Sequence, residues 1–257
     1  MANDFSGDPN CKALWRLEDG ALTTDSKGTN TLTNVNVEAY TVGYKEGAGC
    51  GDFSDASGDY MYRADAGLDS GFPGKNGESN ANFSISFWMW MSISPATASW
   101  DYIVTKWDSA NNKRTYAVAI HRIAGTDYLE LLIGYGGGIS TDMYTHASAL
   151  LIGQWYHVGV TWNDSTKAYV IRVWDDTAGA TLGVDKTGTG SNQMNIEDAL
   201  LVIGDRSDFN ANFTGYLDEV VIFNDILTSD EIDEIRNQTF GGGGGGGDGG
   251  LMFGSNF

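Results

Sequence analysis

The stretch Phe83-Ser84-Ile85-Ser86-Phe87-Trp88-Met89-Trp90-Met91 decides the fold. In an extended chain, successive side chains point to opposite faces. Phe83, Ile85, Phe87, Met89 and Met91 then share one face, and Ser84, Ser86, Trp88 and Trp90 share the other. A period of two is a strand signal, not a helical one. Working outward, residues 101–106, 115–120, 128–133, 155–162, 168–174, 200–204 and 217–223 read the same way. Between them lie turn-rich pieces at 108–113, 124–127, 163–166 and 205–212. Short strands separated by close turn signals predict an all-β sandwich or barrel. One helix is expected after the last strand. Thr228 is its N-cap, Glu231 completes a capping box, Ile232 and Ile235 share a face, and Arg236 lies in the last turn.

Composition narrows the function. Across 257 residues, 34 acids against 15 Lys and Arg leave a formal charge of −19. That excludes a dedicated nucleic-acid binder, which needs clustered cations to neutralise phosphates. It also argues against docking on anionic membranes. No run approaches the roughly 18 apolar residues of a membrane span. The start, Met1-Ala-Asn-Asp-Phe-Ser-Gly-Asp-Pro9, lacks the basic and apolar regions of a secretory signal. Cys11 and Cys50 are the only cysteines, so they form at most one internal disulfide or serve as two small buried residues. A Gly-rich tail, with glycine throughout 241–247, sets the domain limits: an N-terminal arm at 1–10, a domain at 11–240 and the tail at 241–257. The tail ends in apolar Leu251, Met252, Phe253 and Phe257, the candidate docking residues for self-association or a neighbouring subunit.

Five segments in order carry a family resemblance. They are Ala13-Leu-Trp-Arg-Leu-Glu-Asp-Gly20, then Lys45-Glu-Gly-Ala-Gly-Cys-Gly-Asp-Phe53 with Gly58-Asp-Tyr-Met-Tyr62. Next come Phe83-Ser-Ile-Ser-Phe-Trp-Met89, Gly153-Gln-Trp-Tyr-His-Val-Gly-Val-Thr-Trp162, and Phe213-Thr-Gly-Tyr-Leu-Asp-Glu-Val-Val-Ile-Phe-Asn224. Over 11–240 the chain resembles a laminin G-like jellyroll domain of the concanavalin A-like lectin/glucanase superfamily. The resemblance implies two antiparallel sheets packed face to face as a jellyroll sandwich. It also implies a structural Ca²⁺ held by Asp218 of the final strand together with backbone carbonyls. Asp25 and Asp52 are further candidate ligands. Superfamily members include lectins, adhesion modules, glycosidases and structural parts, so fold alone does not assign function.

The residues speak against catalysis. Some glucanases of the superfamily carry Glu-x-Asp-x-Glu on a strand, aiming the acids into one cleft. Here Glu231-Ile-Asp-Glu-Ile235 ends in isoleucine and falls on the expected helix, where residues two apart diverge. Asp175-Asp176 reads as a turn and His157 as a packed residue. Sugar rings stack on aromatic faces, so Trp100, Trp107, Tyr135 and Tyr144 are the candidate ligand residues. Trp88 and Trp155 match positions that pack internally in the family. The expected function is a non-enzymatic structural or recognition protein of a virion, such as a tail fibre, adhesin or capsid decoration. Its expected partners are virion subunits and a surface glycan, and it would be made in the host cytoplasm. The alternatives are a secreted carbohydrate-binding lectin module and a divergent glycan-active enzyme.

Overall fold

A computed structural model describes residues 3–5, 7–53, 58–209 and 211–238. The apolar tail residues Leu251, Met252, Phe253 and Phe257 lie outside the described residues. The strands are β1 (Cys11–Trp15), β2 (Thr33–Val35), β3 (Glu38–Tyr40), β4 (Cys50–Asp52), β5 (Tyr60–Arg63), β6 (Phe83–Met91), β7 (Trp100–Asp108) and β8 (Lys113–Ile123). They continue as β9 (Thr126–Tyr135), β10 (Ser140–Thr145), β11 (Trp155–Asn163), β12 (Ala168–Asp175), β13 (Ala180–Thr181), β14 (Lys186–Thr189), β15 (Leu201–Ile203) and β16 (Gly215–Phe223). One α-helix, α1 (Ser229–Arg236), follows.

The strands form two antiparallel sheets packed as a jellyroll sandwich. The first runs β13-β12-β11-β6-β16-β4-β3, with β1 also on β16 and β14 also on β12. The second runs β10-β9-β8-β7-β15-β5-β2. Phe83, Ile85, Phe87, Met89 and Met91 face the shared core, as the period of two requires. They meet Ile103, Val118, Leu131 and Ile133 of the second sheet. The expected strands all form, and β1 to β5, β10, β13 and β14 lie outside the stretches whose alternation reads as strand.

The helix has the expected capping box: Thr228 accepts from the Glu231 backbone N–H, and the Glu231 side chain accepts from the Thr228 N–H. Ile232 and Ile235 bury against Phe5, Leu14, Val221 and Phe223 on the outer face of the first sheet. Phe5 meets Phe223 edge to face at 5.5 Å, so the described part of the N-terminal arm is docked on the domain. Gly159 makes room for the helix, because a Cβ there would lie 2.5 Å from Ile232.

Cys11 and Cys50 are both free and buried. Cys11 pairs with Phe223 of β16, whereas Gly51, beside Cys50, pairs with Leu217. Six residues of strand separate those positions, about 20 Å at 3.3 Å per residue, far beyond disulfide reach. Of the two readings open in the sequence, the small buried residue holds.

Strand β7 is anchored by a buried charge. Lys106 is fully buried, and its ammonium donates to Asp65 Oδ1 at 2.5 Å and to the Ala199 carbonyl at 2.8 Å. Removing one partner of such a pair strands the other in low dielectric, whereas replacing both by apolar residues does not. Asp65→Ala is therefore expected to lower unfolding free energy by about 3–5 kcal/mol, measured by urea denaturation. Lys106→Met in the Asp65→Ala background should restore most of it. An additive double mutant would show that the pair is not coupled.

Candidate functional site

The outer face of the second sheet carries a groove of about 280 Å³, lined by Trp100, Tyr102, Trp107, Ser109, Arg114, Leu132, Thr141 and Met143. Alternation along β7 puts Trp100 and Tyr102 on this face, away from Ile103 in the core. Cross-strand pairing supplies the rest: His121 lies opposite Trp100, Ala119 opposite Tyr102, and Met143 opposite Leu132. The small side chains of Ala117 and Ala119 leave the space that the aromatic rings border.

A buried carboxylate holds the Trp100 indole in place. Glu130 Oε2 accepts from Trp100 Nε1 at 2.7 Å. Its Oε1 accepts from Thr145 at 2.6 Å and lies 3.0 Å from His121 Nδ1. Trp100 and His121 stack at 4.0 Å with 20° between their planes. Arg206 sits 5.2 Å from the Tyr102 ring centroid and Arg114 5.8 Å from that of Trp107. Arg114 Nε is buried with no hydrogen-bond partner. The Arg114 guanidinium beside aromatic faces suits a polyhydroxyl ligand. The groove lining includes no carboxylate.

The structure divides the four aromatic candidates. Trp100 and Trp107 both line the groove, although Trp107 is 2% exposed and presents only part of its ring. Tyr144 lies opposite Leu131, a core residue, and stacks on Tyr169 at 4.1 Å, so it points away from the groove. Tyr135 lies three residues beyond Leu132, on the face opposite it, and outside the groove lining. Tyr102, Arg114, Leu132 and Met143 were not singled out from sequence. The spacing Trp100-x-Tyr102 was the available signal for the first of them.

The acids of the first sheet make a separate feature. A bulge interrupts β16 between Asp218 and Val221, and Glu219 there has φ +50°. Asp218 is fully buried; its Oδ2 accepts from the Lys45 and Glu46 backbone N–H groups at 2.9 and 3.0 Å. This carboxylate pins the loop between β3 and β4 over the sheet. Its Oδ1 and Glu46 Oε2 are buried without hydrogen-bond partners. Burial pushes Asp218 up to about 8, the two backbone bonds offsetting only part of it. Burial likewise raises Glu46 to about 7, with the Trp88 indole opposing. Glu219 goes up to about 8, mainly by burial, although it pairs with Arg16 at 3.0 Å.

Asp25 is engaged within its own turn. The Asp25 carboxylate accepts from the Leu14, Lys27 and Asn30 backbone N–H groups and from Asn30 Nδ2, organising its own turn. Asp52 lies opposite Tyr216, two residues before Asp218. Among the described residues, no group of three His, Cys, Asp or Glu side chains converges to hold a metal. The decoy acids also have structural partners: Glu231 caps the helix, and Asp233 pairs with Arg172 at 2.7 Å. Asp175 accepts from Ala178 N, closing the expected turn. His157 is packed as expected, 2.9 Å from Ser86 Oγ, with burial driving it down to about 3.

Residues 67–233 match the third laminin G family, described as concanavalin A-like lectin/glucanases superfamily. The chain belongs to this superfamily. No curated protein matches it. The receptor binding domain of botulinum neurotoxin D is similar in structure, with TM-score 0.62 and 14% identity over 89% of this chain and 52% of that one. The type G receptor binding domain gives 0.58 and 13%, over 89% and 51%. The enzymatically active domain of bacteriophage CBA120 tailspike protein 2 gives 0.52 and 14%, over 93% and 31%. These likenesses concern the fold, and the chain spans about half the length of the toxin domains. Among the described residues, no helix is long and apolar enough to cross a membrane.

The buried acids predict a pH dependence of stability. A carboxyl with a folded pKa above its unfolded value leaves the native state holding more protons. Asp218 therefore contributes stability that is full below about pH 4 and is lost as pH rises through about 8. In chelator, the melting temperature of the wild type should fall across that window. Asp218→Asn should fall less steeply, and parallel curves would contradict the assigned burial.

Proposed function

We propose that the chain is a non-enzymatic recognition protein that binds a surface glycan in the groove around Trp100, Tyr102 and Trp107, as a structural component of a virion. The observation that carries the reading is the groove itself. It combines aromatic faces with the Arg114 guanidinium, and its lining has no carboxylate. Glycoside hydrolysis ordinarily needs two acids across the scissile bond, and a lining without a carboxylate supports the reading of binding rather than cleavage. The assembly part rests on sequence: a glycine run ending in Leu251, Met252, Phe253 and Phe257 suits docking on a neighbouring subunit. A glycan array followed by titration of the best ligand tests the reading. Trp100→Ala and Arg114→Ala should each weaken binding roughly tenfold, about 1.4 kcal/mol, with no reducing sugar released. Deleting 241–257 should preserve glycan binding and melting temperature but abolish assembly. Sugar release, or binding indifferent to both groove substitutions, would overturn it.

We also propose one structural Ca²⁺ beside Asp218. The support is the pair of buried, partnerless oxygens, Asp218 Oδ1 and Glu46 Oε2. Hard carboxylate oxygens suit Ca²⁺, and backbone carbonyls of the covering loop would complete its shell. The ion would offset the burial that raises both carboxyls. Asp25 is left out, because its carboxylate is already engaged by four N–H donors. At 100 times its dissociation constant a bound ion stabilises by about 2.7 kcal/mol. Ca²⁺ should raise the melting temperature at pH 8, EDTA should reverse the rise, and Asp218→Asn should abolish it. Identical melting with and without the ion would refute the site.

A further inference from the structure

A second concave surface lies on the outer face of the other sheet. It is a cleft of about 100 Å³ bordered by Tyr40, Val42, Gly43, Trp90, Trp155 and Tyr216. Residues opposite one another in neighbouring strands share a face. Trp155 lies opposite Trp90, Trp90 opposite Tyr216, Tyr216 opposite Asp52, and Asp52 opposite Glu38. One straight row therefore runs from two tryptophans through a tyrosine to two acids. Tyr40 stacks on Tyr216 at 4.2 Å with 8° between the planes, and Trp90 meets Trp155 at 6.0 Å and 67°. The cleft is thus bordered by rings in more than one orientation.

The lining has little to offer a sugar. Trp155 Nε1 donates to the Gly43 carbonyl at 2.9 Å, which engages both groups. Beyond the two phenols, the bordering side chains bring only the indole N–H of Trp90. A pyranose carries hydroxyls all round its ring and loses affinity wherever one is desolvated without a partner. An alkylated ammonium carries no such requirement. Its methyl groups pack on ring faces, and its charge is attracted by the π quadrupoles. At about 100 Å³ against about 280 Å³ for the groove around Trp100, the cleft is the smaller of the two and suits a compact group. The charges agree: Asp52 and Glu38 continue the row, and the whole chain carries −19. The nearby cation Lys45 is drawn to Asp176 at 2.8 Å and lies over Trp88, at 4.5 Å from its ring centroid.

We propose that the cleft between Tyr40, Trp90, Trp155 and Tyr216 is a binding site for a quaternary ammonium group. It is separate from the groove around Trp100, which lies on the opposite sheet. Choline is the probe, followed by tryptophan fluorescence, with its neutral tert-butyl isostere as the charge control. Choline should bind saturably, and the isostere should bind roughly tenfold more weakly. Trp90→Ala should abolish choline binding, Tyr40→Leu should weaken it while keeping bulk at the sheet edge, and Trp100→Ala should leave it unchanged. Phosphocholine and a trimethyllysine peptide form two further arms; preference for either over the isostere supports the site and tells a lipid headgroup from a protein side chain. Equal binding of choline and the isostere, absence of saturable binding, or loss of binding in Trp100→Ala but not in Tyr40→Leu would overturn the proposal. So would a methyl pyranoside that binds in its place with the same Trp90 dependence.

Discussion

Strand β6 is buried on both faces, and the coverings of its outer face set the remaining architecture. Its inner face is core, which any sandwich provides. Its outer face needs a different partner at each step. Ser84 Oγ donates to the Asp225 carbonyl and accepts from Leu227 N, tying down the approach to the helix. Ser86 meets His157. Trp88 lies under the loop that Asp218 pins, with Lys45 above its ring. Only Trp90 stays half-exposed, and there the second cleft opens. Two serines and two tryptophans thus divide one sheet face into a helix seat, a covered acid site and an open aromatic surface.

The inner half of this plan was legible in the sequence, because it depends on the period of a single strand. Phe83 through Met91 alternate without a break, and the capping box at Thr228 is local. The outer half depends on which strands become neighbours, and no single strand encodes that. Asp218 was identifiable from the resemblance, but Glu46, its partner in burial, lies 172 residues away in sequence. Trp100 and Tyr144 were both exposed-aromatic candidates, with Trp100 favoured for its place beside loops. They separate in the structure because β10 pairs with β9 in the register that sets Tyr144 opposite Leu131. The glycine tail falls outside the described residues, so its docking role stays a reading of sequence.

The buried charges of the two sheets follow different solutions to the same desolvation cost. Lys106 and Asp65 neutralise each other directly across 2.5 Å. Asp218, Glu46 and Glu219 gather like charges, with Arg16 paired to Glu219. A cluster of that kind is stable with protons or with a cation, and the two compete for the same oxygens. The Glu219 backbone adds a cost of its own, since a non-glycine residue at φ +50° is uncommon.

The two aromatic surfaces differ in what surrounds their rings, and that difference separates their ligands. The groove has Arg114 and a tryptophan oriented by Glu130, so directional polar contacts surround its aromatic faces. The cleft has its Trp155 indole and Gly43 carbonyl already bonded to each other, with acids continuing beyond the rings. A polyol gains most from the first setting, where its hydroxyls find partners. A methylated cation gains most from the second, where no hydrogen bond is required and negative charge is near. Because the two surfaces lie on opposite outer faces of the sandwich, occupation of one need not obstruct the other. The two proposed sites would thus face in opposite directions from one sandwich, each with its own ligand chemistry.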